Sequence, residues 1–221
     1  MGNWELALWW ACTAATEEYR PQALSPEDAR RAPAIRSAKA LLDWRVSRAL
    51  LQSVRTAGAT PQALSLSHSG GHALCAQAPA DRAVGADLER IRPRDIHALA
   101  AWVCSAAEQA WLRDAASLPL RQTRFYLLWT LKEAFIKAAG LDFPADMASV
   151  GLAPLPLGEW TLRPPAGRWQ AGGWQLGDEW VAAAVWRANQ DDPPARLHWR
   201  AAAGCELPAV QLLGQWEGGA E

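Results

Sequence analysis

The segment WTLKEAFIKAAG, residues 129–140, holds three charges within six positions of an otherwise apolar run. At 3.6 residues per turn, Trp129, Glu133 and Lys137 stand at i, i+4 and i+8 on one stripe, with Lys132 one step around from it. Pro119 begins this helix and Gly140 ends it. Two readings fit a carboxylate set between two ammonium groups. One is a surface Glu–Lys pair worth a few tenths of a kcal/mol. The other is a phosphate site with a metal ligand in it. The helix alone does not decide.

Upstream lies Asp87-Leu88-Glu89. On a strand, i and i+2 share a face, so both carboxylates project together while Leu88 turns to the core. Two like charges that close are unfavourable without a cation or a basic group between them. With Glu133 they make three hard oxygen donors free of His or Cys, a set suited to Mg²⁺, whose remaining ligands are waters and substrate phosphates. Lys132 and Lys137 would then face those phosphates. Each piece alone also has an ordinary reading. A D-x-E pair is commonly a solvated strand end, and His68 in LSLSHSG a hydrogen-bonded structural histidine. Ser67, Ser69, Gly70 and Gly71 around it could form an anion-binding turn, although Ser-Gly turns are frequent.

Further out, WELALWWAC (4–12) reads as a strand and Ser25-Pro26-Glu27-Asp28 as a capped helix start. The pattern over 34–54 is amphipathic at helical period and is closed by Gly58 and Pro61. LSLSHS and HALCAQA form two strands joined at Gly70-Gly71, and AVGADLER a third. Two helices follow, the second opened by the capping box Ser105-Ala-Ala-Glu108. Beyond Pro144 the chain turns strand-like in ASVGLA, EWTLRP, RWQAGGWQL and EWVAAAVWR. A linker ANQDDPPA, a strand RLHWRAA and a Gly-rich tail expected to fray complete it.

A long helix followed by strands thus occurs near 34–78 and again near 120–187. The expected fold is α+β, with two similar halves related by a pseudo-twofold, each a long helix packed on a small antiparallel sheet. The expected divisions are an N-terminal half at 1–85, a C-terminal half with the metal site at 86–190, and an extension at 191–221.

Composition narrows the classes. A chain of 221 residues, half of them hydrophobic, can bury a real core. A net charge of −1 argues against sequence-independent nucleic-acid binding. The four cysteines, at 12, 75, 104 and 205, form no CxxC or Cys/His cluster, which fits neither a disulfide framework nor a zinc site. No signal segment and no membrane-length apolar run is present, so a soluble cytoplasmic protein is expected. The absence of GxxxxGK[ST] speaks against a P-loop phosphotransferase. The 14 tryptophans suggest large rings filling a core and lining a cleft.

Taken together and in order, SHSG, then GADLE about twenty residues on, then WTLKEAFIKAAG, the sequence resembles the 4′-phosphopantetheinyl transferases of the Sfp type. The resemblance spans roughly residues 20–187, and the fixed positions of the last two motifs are met by Gly85, Asp87, Glu89, Trp129, Lys132, Glu133, Lys137 and Gly140. It implies transfer of the phosphopantetheine arm of coenzyme A to a serine of an apo acyl, peptidyl or polyketide carrier protein. It further implies Asp87, Glu89 and Glu133 as magnesium ligands, and Lys137, with Lys132 beside it, at the phosphates. His68 with Ser67 and Ser69 would contact the 3′-phosphate of the adenosine. Glu133 is the favoured base, with Glu89 acting through a water as the alternative. A catalytically silent relative that binds coenzyme A or a carrier as a scaffold is the competing reading.

One family feature is missing. The Gly-Lys/Arg-Pro segment expected before the Ser-His-Ser turn, which helps hold adenine, is replaced by RTAGATPQALSLSHS. Arg36, Lys39 and Arg45 are the available cations upstream, Lys39 the best placed for the 3′-phosphate. Arg90, Arg92 and Arg94 follow Glu89 directly. Strand alternation would point all three one way, toward an acidic carrier docking on a monomer.

Overall fold

The computed structural model describes residues 4–57, 62–189 and 194–219. Strand β1 (Glu5–Ala11) is buried on both faces after Glu5, because it is sandwiched between a helix and a second sheet. Helix α1 (Pro26–Arg31) starts as expected, the Ser25 hydroxyl accepting from the Asp28 amide. Helix α2 (Ala38–Ala57) begins four residues later than the periodicity suggests. Ile35 is extended, and the Ser37 hydroxyl caps the helix by accepting from the Ala40 amide at 3.1 Å. Arg36 therefore precedes the helix, and the stops expected at Gly58 and Pro61 lie outside the described residues, as does 190–193 of the linker.

Strands β2 (Gln62–Ser69) and β3 (His72–Pro79) form a hairpin through Gly70 and Gly71. Their φ values of 54° and 81° suit a two-residue turn that side chains resist. Next come β4 (Val84–Arg90), α3 (Ile96–Val103), α4 (Ala106–Arg113) and α5 (Leu118–Ala139). The capping box of α4 is complete, and Gly140 ends α5 in the left-handed conformation at φ 63°. The remainder is β5 (Gly151–Pro154), β6 (Trp160–Arg163), β7 (Trp169–Leu176), β8 (Trp180–Arg187), β9 (Arg196–Ala201) and β10 (Val210–Gly218).

Two four-stranded sheets result, ordered β2-β3-β1-β9 and β10-β7-β8-β4. Three cores separate four layers: one between α2 and the first sheet, one between the sheets, and one between the second sheet and α5 with its neighbours. Tryptophans 4, 10, 174, 180 and 186 fill the inter-sheet layer. The fold is mixed α+β. The sequence strand, helix, hairpin occurs twice, as β1, α2, β2-β3 and as β4, α5, β7-β8. In both, the second hairpin strand pairs with the leading strand.

Two features differ from expectation. The first sheet is not purely antiparallel, because β9 returns from the far end of the chain to pair in parallel with β1. Among the described residues the Gly-rich tail is not frayed: Val210–Gly218 form β10, paired with β7 through a bulge between Leu212 and Gly214. Its glycines serve close approach. A Cβ at Gly214 would lie 2.2 Å from the Trp216 ring, and one at Gly218 would lie 2.5 Å from the Leu162 carbonyl oxygen. Strands β9 and β10 therefore give each four-stranded sheet an outer strand. At the other junction, β4 begins at Val84, so the boundary expected after Gly85 falls inside that strand.

Gly85 sets how closely α5 approaches β4. A Cβ there would sit 1.9 Å from the Ala134 carbonyl oxygen, so only glycine lets the helix lie directly on the strand. That contact brings the two charged motifs together.

Candidate active site

On β4, Val84, Ala86 and Leu88 enter the inter-sheet core, which turns Asp87 and Glu89 to the α5 side. Across from them α5 presents Glu133 and Lys137. The Lys137 ammonium donates to Asp87 Oδ1 at 2.8 Å and to the Ala86 carbonyl at 3.0 Å. Asp87 is only 3 % exposed, and its second oxygen, Oδ2, is buried without a hydrogen-bond partner.

Gathering three carboxylates here has an electrostatic cost. Burial pushes the Glu133 carboxyl up to about 7, the charges of Asp87 and Glu89 add to it, and Lys137 opposes. Glu89 is raised by burial and then by Asp87, against the Ser69 hydroxyl and the charges of Arg94 and Arg92. Among the described residues no three such side chains stand close enough to make a ready-formed cation cage. The donor set nonetheless fits a hard divalent ion. It is all oxygen, its charges repel one another, and one buried carboxylate oxygen has nothing to accept from.

Ser67 and Ser69 sit differently from the expectation that both flank His68 at a phosphate. On a strand they face opposite to His68, and their hydroxyls are already engaged. Ser67 donates to Asp87 Oδ1 at 2.6 Å, and Ser69 to Glu89 Oε2 at 3.0 Å. His68 points instead toward α2, where burial lowers its pKa below 6.5, the charges of Arg48, Lys137 and Lys39 lower it further, and Asp43 opposes. Lys39 is solvent-exposed and bridges Asp43 at 3.1 Å. Asp43 also accepts from the Gly71 amide, tying α2 to the hairpin turn. Sequence reasoning misses Asp43 and Arg48. The i, i+4 spacing of Lys39 and Asp43 is the available signal for the first.

Lys132 is a correction. It does not face the site: it is fully buried, pairs with the equally buried Glu108 at 2.9 Å, and donates to the carbonyls of Met147 and Val150. Glu108 in turn accepts from the amides of Ser105 and Leu152. One step around α5 from Glu133 is enough to carry Lys132 to the α4 and β5 side.

The arginines after Glu89 do not share one direction either. The strand ends at Arg90, whose guanidinium pairs with Glu179 at 2.5 Å. Tyr126 pins the Arg92 backbone, its hydroxyl bonding both the amide and the carbonyl. Arg94 lines a cleft of about 300 Å³ between α3, α4 and the start of α5, floored by Ile96, Ala100, Leu112 and Leu118. Arg45 remains exposed on α2. Among the described residues no helix is long and apolar enough to cross a membrane.

Residues 83–185 match the family model described as the 4′-phosphopantetheinyl transferase superfamily. A 4′-phosphopantetheinyl transferase of Bacillus subtilis is 40 % identical over 91 residues, covering 40 % of this chain and 38 % of that protein. The 4′-phosphopantetheinyl transferase HetI of a Nostoc species is 40 % identical over 95 residues, covering 42 % and 38 %. The matched stretch thus spans about two-fifths of the length of these relatives. A solved holo-(acyl-carrier-protein) synthase from Bacillus anthracis, in complex with coenzyme A (3′,5′-ADP), aligns at a TM-score of 0.41. That alignment has 14 % identity and covers 48 % of this chain and 94 % of that one.

Proposed function

We propose that this chain, whose residues 83–185 match the 4′-phosphopantetheinyl transferase superfamily model, transfers the phosphopantetheine arm of coenzyme A to a serine of an apo carrier protein. The observation that carries the proposal is the meeting of Asp87, Glu89, Glu133 and Lys137 on the β4–α5 face, with Asp87 Oδ2 buried and bare. We read the chain as the single-chain, Sfp type of the family, acting as a cytoplasmic monomer. Its two halves would be related by an approximate twofold and followed by the 191–221 extension; the twice-used order of strand, helix and hairpin supports this.

The transfer forms a bond from the carrier serine oxygen to the phosphorus bearing pantetheine, and breaks the bond from that phosphorus to 3′,5′-ADP. The serine proton must leave, and Glu133 would take it; Glu89 acting through a water is the alternative. Asp87, Glu89 and Glu133 would hold magnesium, which when bound neutralises charge on the pyrophosphate. Lys137, beside that set, meets negative charge building on the leaving phosphate. Lys39 and Arg48, whose charges act on His68, would meet the 3′-phosphate, each now paired with a carboxylate, Asp43 and Asp28. Adenine would be held without the usual basic-Pro segment.

The direct test is to incubate the chain with coenzyme A, Mg²⁺ and a panel of apo carriers, then weigh the carriers. A gain of one phosphopantetheine, lost on chelation, supports the transferase. Bound coenzyme A with every carrier mass unchanged would identify a scaffold instead.

The carrier would dock where Arg94 lines the apolar cleft, with Arg92 two residues before it in the chain. The cleft floor suits the apolar side of a short helix and the arginines suit acidic residues around the accepting serine. Reversing Arg92 and Arg94 to Glu should raise KM for the carrier several-fold and leave KM for coenzyme A unchanged. Added salt should weaken wild-type carrier kinetics, because exposed charges are screened over about 10 Å at 0.1 M ionic strength. Identical carrier kinetics in the reversed variant and at high salt would return these arginines to plain solvated surface.

A further inference from the structure

We propose that Ser67 and Ser69 are positioning residues that aim Asp87 and Glu89 for a divalent cation, an inference that rests on the proposed magnesium site. The pattern LSLSHS puts Ser65, Ser67 and Ser69 on one face of β2, with Leu64, Leu66 and His68 on the other. That serine face lies along the open edge of β4, where the two sheets meet without a shared backbone ladder. Each hydroxyl finds a partner there. Ser65 accepts from the Ala86 amide at 2.9 Å, Ser67 donates to Asp87 Oδ1, and Ser69 donates to Glu89 Oε2. Moving two residues along β2 thus moves the contact from backbone to one carboxylate and then to the next.

The consequence is chemical as well as mechanical. An ionised carboxylate only accepts, with two oxygens to fill. Ser67 and Lys137 both take Oδ1 of Asp87, which leaves Oδ2 buried and bare. Without the Ser67 hydroxyl the carboxylate would be free to turn both oxygens onto Lys137. Ser69 does for the longer Glu89 side chain what Ser67 does for Asp87, fixing one oxygen so that rotamer freedom is not lost at the moment of binding. Ser65 touches only backbone, so it joins the sheets without orienting a ligand.

Mn²⁺ binding to the metal-free protein, read as the loss of the free Mn²⁺ electron paramagnetic resonance signal, tests this with no coenzyme A or carrier present. Ser67→Ala and Ser69→Ala should each raise the Mn²⁺ dissociation constant by about tenfold or more, the usual effect of losing a group that orients a metal ligand. Ser69→Thr, which keeps the hydroxyl, should restore it. Ser65→Ala should lower the unfolding temperature and leave Mn²⁺ affinity unchanged. Wild-type affinity in both Ser67→Ala and Ser69→Ala would overturn the inference and leave the metal site standing. If the wild type binds Mn²⁺ no better than Asp87→Asn, the metal reading falls, and the inference with it.

Discussion

Asp87→Asn and Glu133→Gln should each reduce the proposed transfer to a carrier by about two to three orders of magnitude, while the folded protein survives. The first half of that expectation follows from the site. Asp87 supplies the bare Oδ2, and Glu133 supplies the third carboxylate and, in the proposed mechanism, the acceptor for the serine proton. The second half follows from charge. With no cation, three carboxylates share the β4–α5 face against a single near ammonium, and the Glu133 carboxyl is held up at about 7.

Glu133 binds its proton more tightly folded than unfolded, so its contribution to stability is present below its ordinary value of 4.5 and lost as pH rises through 7. Above pH 7 the ionised group therefore costs folding free energy, on the order of 1–2 kcal/mol after allowance for solvent screening at this partly open position. Glu133→Gln removes that cost. In chelator at pH 8 the variant should melt a few degrees above wild type, and at pH 5 the two should nearly coincide. Thermal melts at the two pH values, beside rates measured with Mg²⁺, check both halves. Near-normal transfer by either variant would sink the carboxylate assignment.

The charged motifs are legible in sequence because each is a local pattern: alternation on β4, a stripe on α5, and the capping box of α4. Their meeting is legible only through family resemblance, since nothing local says that Gly85 lets the Ala134 carbonyl approach within a missing side chain's radius. The serines of β2 mark the limit of local pattern. Their period of two is plain, yet which face of β2 meets β4 depends on how two sheets stack, and that is set by cores distant in sequence. The tail defeats expectation for a related reason. Glycine there reads as freedom, whereas Gly214 and Gly218 make room for Trp216 and Leu162. The arginine run fails through chain geometry: alternation holds only inside the strand, and β4 stops at Arg90.

Lys132→Met should destabilise the protein by about 3–5 kcal/mol, the usual result of stranding one member of a buried ion pair, and lower the melting temperature by on the order of 10 °C. Lys132 sits in a helix so apolar between Phe125 and Phe135 that no sequence period distinguishes its face from that of Glu133. In the fold its ammonium has three acceptors, Glu108, Met147 and Val150, and no access to solvent. Removing it leaves the Glu108 carboxylate buried, with Arg163, at 3.8 Å and partly exposed, as the remaining cation; a swing of Arg163 inward would hold the loss to the lower end of the range. Pairing the change with Glu108→Gln removes the stranded charge but keeps an acceptor for only one of the amides of Ser105 and Leu152, which bond to different oxygens of Glu108, so the double variant should recover part of the lost stability. The kinetic outcome separates this role from phosphate binding. Assayed well below its melting temperature, Lys132→Met should keep the wild-type KM for coenzyme A, because no phosphate can reach a fully buried ammonium. A raised KM with an unchanged melting temperature would place Lys132 in the coenzyme A site after all, and would require α5 to turn by about one residue from the register that aims Glu133 and Lys137 at β4.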